Sequence, residues 1–123
     1  MTDIAYVNVY VSDLTAAVEF YEQILGLEKQ FADVEFGYAS FAAGPIRLGL
    51  AVASKEQQAL VGRHTGIGLC SKDLQADYER LVDKGVNFSM PPQKQPWGGF
   101  MALMDDPDGN VFYLDQVDLM HGP

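Results

Sequence analysis

In NVFYLDQ, residues 110–116, a phenol and a carboxylate stand two positions apart. Side chains alternate across a β-strand, so Tyr113 and Asp115 share one face while Phe112 and Leu114 take the other. The apolar pair reads as core; the polar pair can move a proton or hold a basic group. IAYVNVYV at residues 4–11 divides the same way, with Val7, Val9 and Val11 on one face and Tyr6, Asn8 and Tyr10 on the other. In IRLGLAV the opposite parity collects Arg47, Gly49 and Ala51, and in HTGIGLC it collects His64, Gly66 and Gly68. Phenols, an amide, a guanidinium and a carboxylate are costly to bury unpaired, and the small residues among them leave room. A cavity open to water or a ligand fits both properties; a sheet face wetted only by solvent is the plain alternative.

Other chemistries find little support in the residue types. No nucleophile-elbow, Walker or dinucleotide-binding glycine pattern is present. Cys70 is the one cysteine, has no base beside it in sequence, and reads as a buried structural thiol. Of the two histidines, His64 falls at a strand start, where a hydrogen bond to backbone or water is its ordinary use, and His121 falls in the terminal HGP. The formal charge of −9, from 17 acidic against 8 basic residues, repels phosphate backbones and argues against nucleic acid as a partner. The same field draws in cations. No run approaches the roughly 20 apolar residues of a membrane span, and MTDIAYVNVY lacks a signal peptide's basic start, so a cytoplasmic protein with no membrane partner is expected.

Elements that could position those faces occur twice. Asp13 is a good N-cap, Leu14, Ala17, Val18, Tyr21, Ile24 and Leu25 fall at helical spacing, and Gly26 can close the end. Strands are expected at about 28–34, 36–42 and 46–53, with Gly44-Pro45 turning between the last two. SKEQQALVGR, residues 54–63, reads as a linker with at most a helical turn. A strand at 64–70, a helix capped by Asp73 and ended by Gly85, a strand near 86–89, a loop PPQKQPWGG at 91–99, a strand at 100–104 and the strand after Asp106-Pro107-Asp108-Gly109 complete the series. Shifting the chain by 60 lays Asp13-Leu14 on Asp73-Leu74 and Glu19 on Glu79. This order predicts an α+β fold of two tandem βαβββ modules in one domain, residues 1–123: module 1 at about 1–53, the linker at 54–63 and module 2 at about 64–118. Helices cover the apolar faces, and two sheets cupped toward each other would enclose a cleft between the others.

Three segments, VNVYVSDLTAAVEFYEQILGLE, GIGLCSKDLQADYERLVDKGV and QPWGGFMALMDDPDGNVFYL, resemble the vicinal oxygen chelate superfamily, the glyoxalase, bleomycin-resistance and extradiol dioxygenase group. The resemblance implies paired βαβββ modules, a cleft in a cupped mixed sheet and a homodimer. Metal-using members hold a divalent ion on histidine or glutamate at four strand positions, which fall here on Tyr6, Gly49, Gly66 and Tyr113. Glycine offers no side chain, and a phenol with a pKa of about 10 is a poor ligand for such an ion at neutral pH. His64 lies two residues, roughly 7 Å, before its expected position and Asp115 two beyond, fewer than the three protein ligands usual for catalytic zinc. Neither a metal nor another cofactor is therefore expected. The chain is similar to the metal-free bleomycin-resistance branch, which implies sequestration of a small, aromatic or cationic molecule and antibiotic resistance. The expected ligand-binding residues are Tyr6, Asn8, Tyr10, Arg47, His64, Trp97, Tyr113 and Asp115. Trp97, in Pro96-Trp97-Gly98, is expected to act as a lid or to pack in the dimer contact, and Arg47 either pairs with Asp115 or meets a ligand carboxylate. The alternatives are a lyase, isomerase or dioxygenase with an altered site, and an interaction protein without a ligand.

Overall fold

The computed structural model describes residues 2–117. Two compact units divide the chain: one runs to Arg63 and takes in Pro107–Gly109, and the other runs from His64 to Asp106 and resumes at Asn110. Each holds a four-stranded mixed sheet and a helix, so the fold is α+β with the βαβββ order given twice.

In the first unit β1 (Tyr6–Val11) leads to α1 (Leu14–Glu19), then β2 (Glu28–Asp33), β3 (Tyr38–Ala43) and β4 (Ile46–Val52). The strand order is β1-β4-β3-β2, with β1 parallel to β4 and the other pairs antiparallel. The Asp13 carboxylate accepts the Ala16 N–H at 3.1 Å, satisfying a donor the first turn leaves open. The expected helix to Leu25 is present, but its last turn widens: over Phe20–Ile24 it is a π-helical turn, and the Leu25 N–H bonds the Phe20 carbonyl at 3.0 Å. Phe20 and Tyr21, neighbours in sequence, are both buried there. Gly26, at φ 78°, lets the Leu27 N–H return to the Tyr21 carbonyl at 3.0 Å and end the helix. Val9, Val11, Ala39, Phe41, Leu48 and Leu50 line the covered face of the sheet. Each large side chain buried in this way stabilises the unit by about 1.5–3 kcal/mol. The linker is ordered by a capping box, Ser54 and Gln57, that starts a 3₁₀ turn over Lys55–Leu60.

The second unit repeats the plan with β5 (His64–Ser71), α2 (Leu74–Asp83), β6 (Asn87–Lys94), β7 (Phe100–Asp105) and β8 (Val111–Gln116), in the order β5-β8-β7-β6. Asp73 caps α2 through the Ala76 N–H at 3.1 Å, and the Gln116 side chain accepts the Leu74 N–H at 2.9 Å. Leu74, Leu81, Val86, Ala102, Met104, Phe112 and Leu114 form the core. Phe88 meets Tyr78 edge to face at 4.7 Å.

Two expectations are corrected here. PPQK at 91–94 is strand, not loop: β6 lies at a sheet edge, where proline's missing N–H costs no ladder bond, and irregular pairing at Phe88/Met90 and Met90/Gln93 absorbs the prolines. Cys70 is exposed, because it has the parity of Gly68 and Asp115 and so stands on the uncovered face.

The Asp106-to-Asn110 turn is clamped by the bonds of its two end residues. Asn110 donates its N–H and its side-chain amide to the two oxygens of Asp106, each at 2.8 Å, and its carbonyl accepts the Asp106 N–H at 2.9 Å. Both residues are buried, at 5% and 1% exposure, so these bonds leave neither carboxylate oxygen unpaired. Asp108 belongs to the first unit, where its carboxylate accepts both the Ser12 N–H, at 3.0 Å, and the Ser12 hydroxyl.

Candidate functional site

The uncovered face of the first sheet carries Tyr6, Asn8 and Tyr10 on β1 opposite Arg47, Gly49 and Ala51 on β4, register for register. β3 continues each row, with Tyr38 opposite Ala51, Ser40 opposite Gly49 and Ala42 opposite Arg47. The centre of the face is a hydrogen bond: the Tyr38 hydroxyl donates to Asn8 Oδ1 at 2.8 Å. It spans Gly49, and a Cβ built on that glycine would lie 2.1 Å from the Tyr38 oxygen and 2.3 Å from Asn8 Oδ1. Only glycine permits the pair to close. Burial pushes the Tyr38 phenol above its ordinary pKa, the Tyr6 phenol adds to the rise, and the Arg47 guanidinium opposes it. The Arg47 guanidinium carbon stands 5.9 Å from the centre of the Tyr6 ring, within cation–π range, and Tyr6 remains 52% exposed. Phe31 on β2 meets the Tyr38 ring at 6.1 Å.

Tyr38 and Phe31 are the residues that sequence reasoning missed on this face. Their signal is parity: in YASFAA, Tyr38, Ser40 and Ala42 alternate with buried Ala39 and Phe41. For Phe31 the signal is weaker, because the register of β2 shifts between Lys29 and Phe31.

The second sheet's uncovered face is organised differently. His64 is paired with Val111 and Gly68 with Tyr113, so four residues of β5 span two of β8. Thr65, Gly66 and Ile67 fold out of the ladder as a bulge, with Gly66 at φ 72°. The Thr65 hydroxyl donates to the Val111 carbonyl at 2.8 Å and accepts the Ile67 N–H at 3.1 Å. His64 Nδ1 accepts the Gly66 N–H at 3.0 Å, which places the neutral ring's proton on Nε2. Gly66 is therefore not a regular strand position, and His64, opposite Val111, lies one two-residue step from Tyr113 on the same face. The bulge takes up the two extra residues and brings the two rings to 4.9 Å, edge to face.

Asp115 lies across from Cys70 and Met101, four residues along β8 from the partner of His64, a separation of about 13 Å along a strand. The displaced grouping of His64 and Asp115 is thus not assembled. Trp97 is 74% exposed at the tip of the β6–β7 hairpin, where the Gln95 N–H bonds the Gly99 carbonyl at 2.7 Å and Gly98 turns at φ 95°. Tyr10 is half-buried on the first face. His121 lies outside the described residues.

The residues present do not fit a divalent ion at the superfamily's positions. Tyr6 and Tyr113 offer phenols, Gly66 lies in a bulge, and the space over Gly49 is filled by Tyr38 and Asn8. Among the described residues, no group of three or more His, Cys, Asp or Glu could hold a metal ion. No helix of the described residues is long and apolar enough to cross a membrane.

The family model for the Glyoxalase/Bleomycin resistance protein/Dioxygenase superfamily matches residues 3–114, and the chain belongs to that superfamily. Among solved structures it is similar to a member of the same superfamily from Sphaerobacter thermophilus, 29% identical with a TM-score of 0.83, covering 95% of this chain and 98% of that one. It is similar also to TnmS3, an antibiotic binding protein from a Streptomyces species, 28% identical with a TM-score of 0.79, covering 96% and 98%. The uncharacterized protein YraH of Bacillus subtilis is 28% identical over 119 residues, 88% of this chain and 93% of that protein.

Proposed function

We propose that this protein is a metal-independent binding protein that sequesters a small aromatic or cationic molecule in the cytoplasm, as a homodimer, and that its role is one of antibiotic resistance. The observation that carries the reading is the occupation of Gly49's space by the Tyr38–Asn8 hydrogen bond, which puts rings and hydrogen-bonding groups where metal-using relatives keep an ion ligand. The likeness to TnmS3 over nearly the whole of both chains supports it. The binding roles fall on each sheet's uncovered face by itself: Tyr6, Asn8, Tyr10 and Arg47 on the first, and His64, Tyr113 and Asp115 on the second, with Trp97 available to stack. An exposed indole contributes about 0.5–2 kcal/mol when it meets a planar cation. Asp115 supplies charge to a basic group, and the net charge of −9 raises the local concentration of cations while repelling nucleic acid.

The test is a titration of chelator-treated protein with the planar cation proflavine, following the fluorescence of Trp97, the single tryptophan. Saturable quenching that is unchanged when zinc, nickel, iron or manganese is restored is expected, as is an affinity several-fold weaker in Asp115→Asn. Binding that appears only with restored metal, or stoichiometric metal retained by the folded chain, overturns the reading.

A further inference from the structure

The uncovered face of the first unit holds a cation with no carboxylate partner among the described residues. Among the described residues Arg47 has no carboxylate within ion-pair distance, unlike Lys29, which pairs with Glu22, and Arg80, which pairs with Asp77. Carboxylates are present on the same face and do not serve it. Glu28 is opposite Ala42, which is opposite Arg47, so it stands two strands away, about 10 Å. Asp33, opposite Tyr38, turns onto its own hairpin and accepts the Phe36 N–H at 3.1 Å. In a chain with 17 acidic residues, a guanidinium kept over the Tyr6 ring and away from carboxylates is a positive point on a negative molecule.

A second donor points the same way. Because Asn8 Oδ1 is committed to the Tyr38 hydroxyl, its amide orientation is fixed and its Nδ2 is left with two N–H groups and no partner among the described residues. Asn8 is one register step along β1 from the Tyr6–Arg47 row, on the same face. A guanidinium and an amide N–H₂ therefore occupy neighbouring rows of one face as donors, with the rings of Tyr6, Tyr38 and Phe31 on the same face.

We infer that this face binds its ligand through an acidic oxygen: an aromatic compound bearing a carboxylate or a similarly anionic group, whose charge sits on Arg47 and Asn8 and whose ring lies against Tyr6 and Phe31. The inference rests on the small-molecule reading above and narrows its ligand class on this unit. Arg47 acts as a planar fork rather than a point charge, so lysine does not replace it. Charge-assisted bonds of this kind are roughly twice as strong as neutral ones. The interaction is local, since the Debye length is about 8 Å at physiological salt and the rest of the acidic surface is screened from it.

Three probes of one shape test it: naphthalene-2-carboxylate, its neutral carboxamide, and 2-naphthylmethylammonium, each titrated into isotopically labelled protein by amide NMR. The carboxylate is expected to bind about tenfold more tightly than the carboxamide, with shifts centred on Asn8, Tyr38 and Gly49. Arg47→Gln, at an exposed position, is expected to keep a native spectrum and lose that preference, and Arg47→Lys to recover only part of it. Equal binding of carboxylate and carboxamide to the unaltered protein, or a preference that survives Arg47→Gln, overturns the anion inference and leaves the small-molecule reading standing. Absence of any shift from all three probes overturns both.

Discussion

The two units share one frame and have furnished their uncovered faces by opposite means. On the first, β1 and β4 keep regular register from Tyr6↔Arg47 to Val11↔Val52, and a glycine makes space that two long side chains close over. On the second, the glycine-rich strand β5 breaks register, and the backbone itself brings an imidazole to a phenol. The same apolar covering of helix on sheet tolerates either solution, because the covered face sets the fold and the uncovered face is free to diverge. Function in such a duplicated frame is therefore read from each face by itself.

The sharpest test of the contrast compares two glycines. Gly49→Ala is expected to destabilise the protein by about 1–3 kcal/mol, since the new methyl must displace Tyr38 and Asn8. At Gly68 the nearest atom to a new Cβ is the Tyr113 Cβ at 4.0 Å, ordinary contact, so Gly68→Ala is expected to change stability by no more than about 0.5 kcal/mol. Urea unfolding of the two variants side by side reads the difference, and equal costs would remove the claim that only the first face depends on a close approach.

The bulge is tested through Thr65, whose hydroxyl both donates and accepts within it. Thr65→Val keeps the shape and removes both bonds, with an expected cost of about 1–2 kcal/mol. A native-state spectrum in which the His64 ring signals move away from their Tyr113-shielded positions should accompany it. Unmoved His64 signals would mean that the ring contact does not depend on the bulge.

The smallest effect concerns Tyr38 and pH. Its folded pKa is raised above the ordinary phenol value of about 10, so the folded state holds its proton more tightly than the unfolded chain does. That contribution is fully present below pH 10 and is lost as pH rises through the folded value. Tyr38→Phe is expected to flatten the alkaline fall in stability and, near neutrality, to cost about 1 kcal/mol for the bond to Asn8. An alkaline profile identical in the two proteins would show that Tyr38 does not carry it.

Much of this molecule is legible in its sequence. Alternation separated Val9, Val11, Phe112 and Leu114, all buried, from Tyr6, Asn8, Tyr113 and Asp115 on the uncovered faces. Asp13 and Asp73 announced both helix starts, and Gly26 one end. The same alternation, carried one step further along HTGIGLC, would have exposed Cys70; that residue was misread because cysteine is buried more often than not. The prolines of β6 were misread because an edge strand cannot be told from a loop until its neighbours are known.

Local pattern, then, was enough to determine the repeat, the capped helices and which side chains face away from the core, since those depend on residue type and a period of two or of 3.6. Tertiary structure alone decided that Tyr38 reaches Asn8 across Gly49, that Arg47 rests on Tyr6 rather than on an acid, and that β5 slips to deliver His64 to Tyr113. The physical reason is register: contacts between strands distant in sequence depend on which residues stand opposite one another, and no spacing along a single strand encodes that.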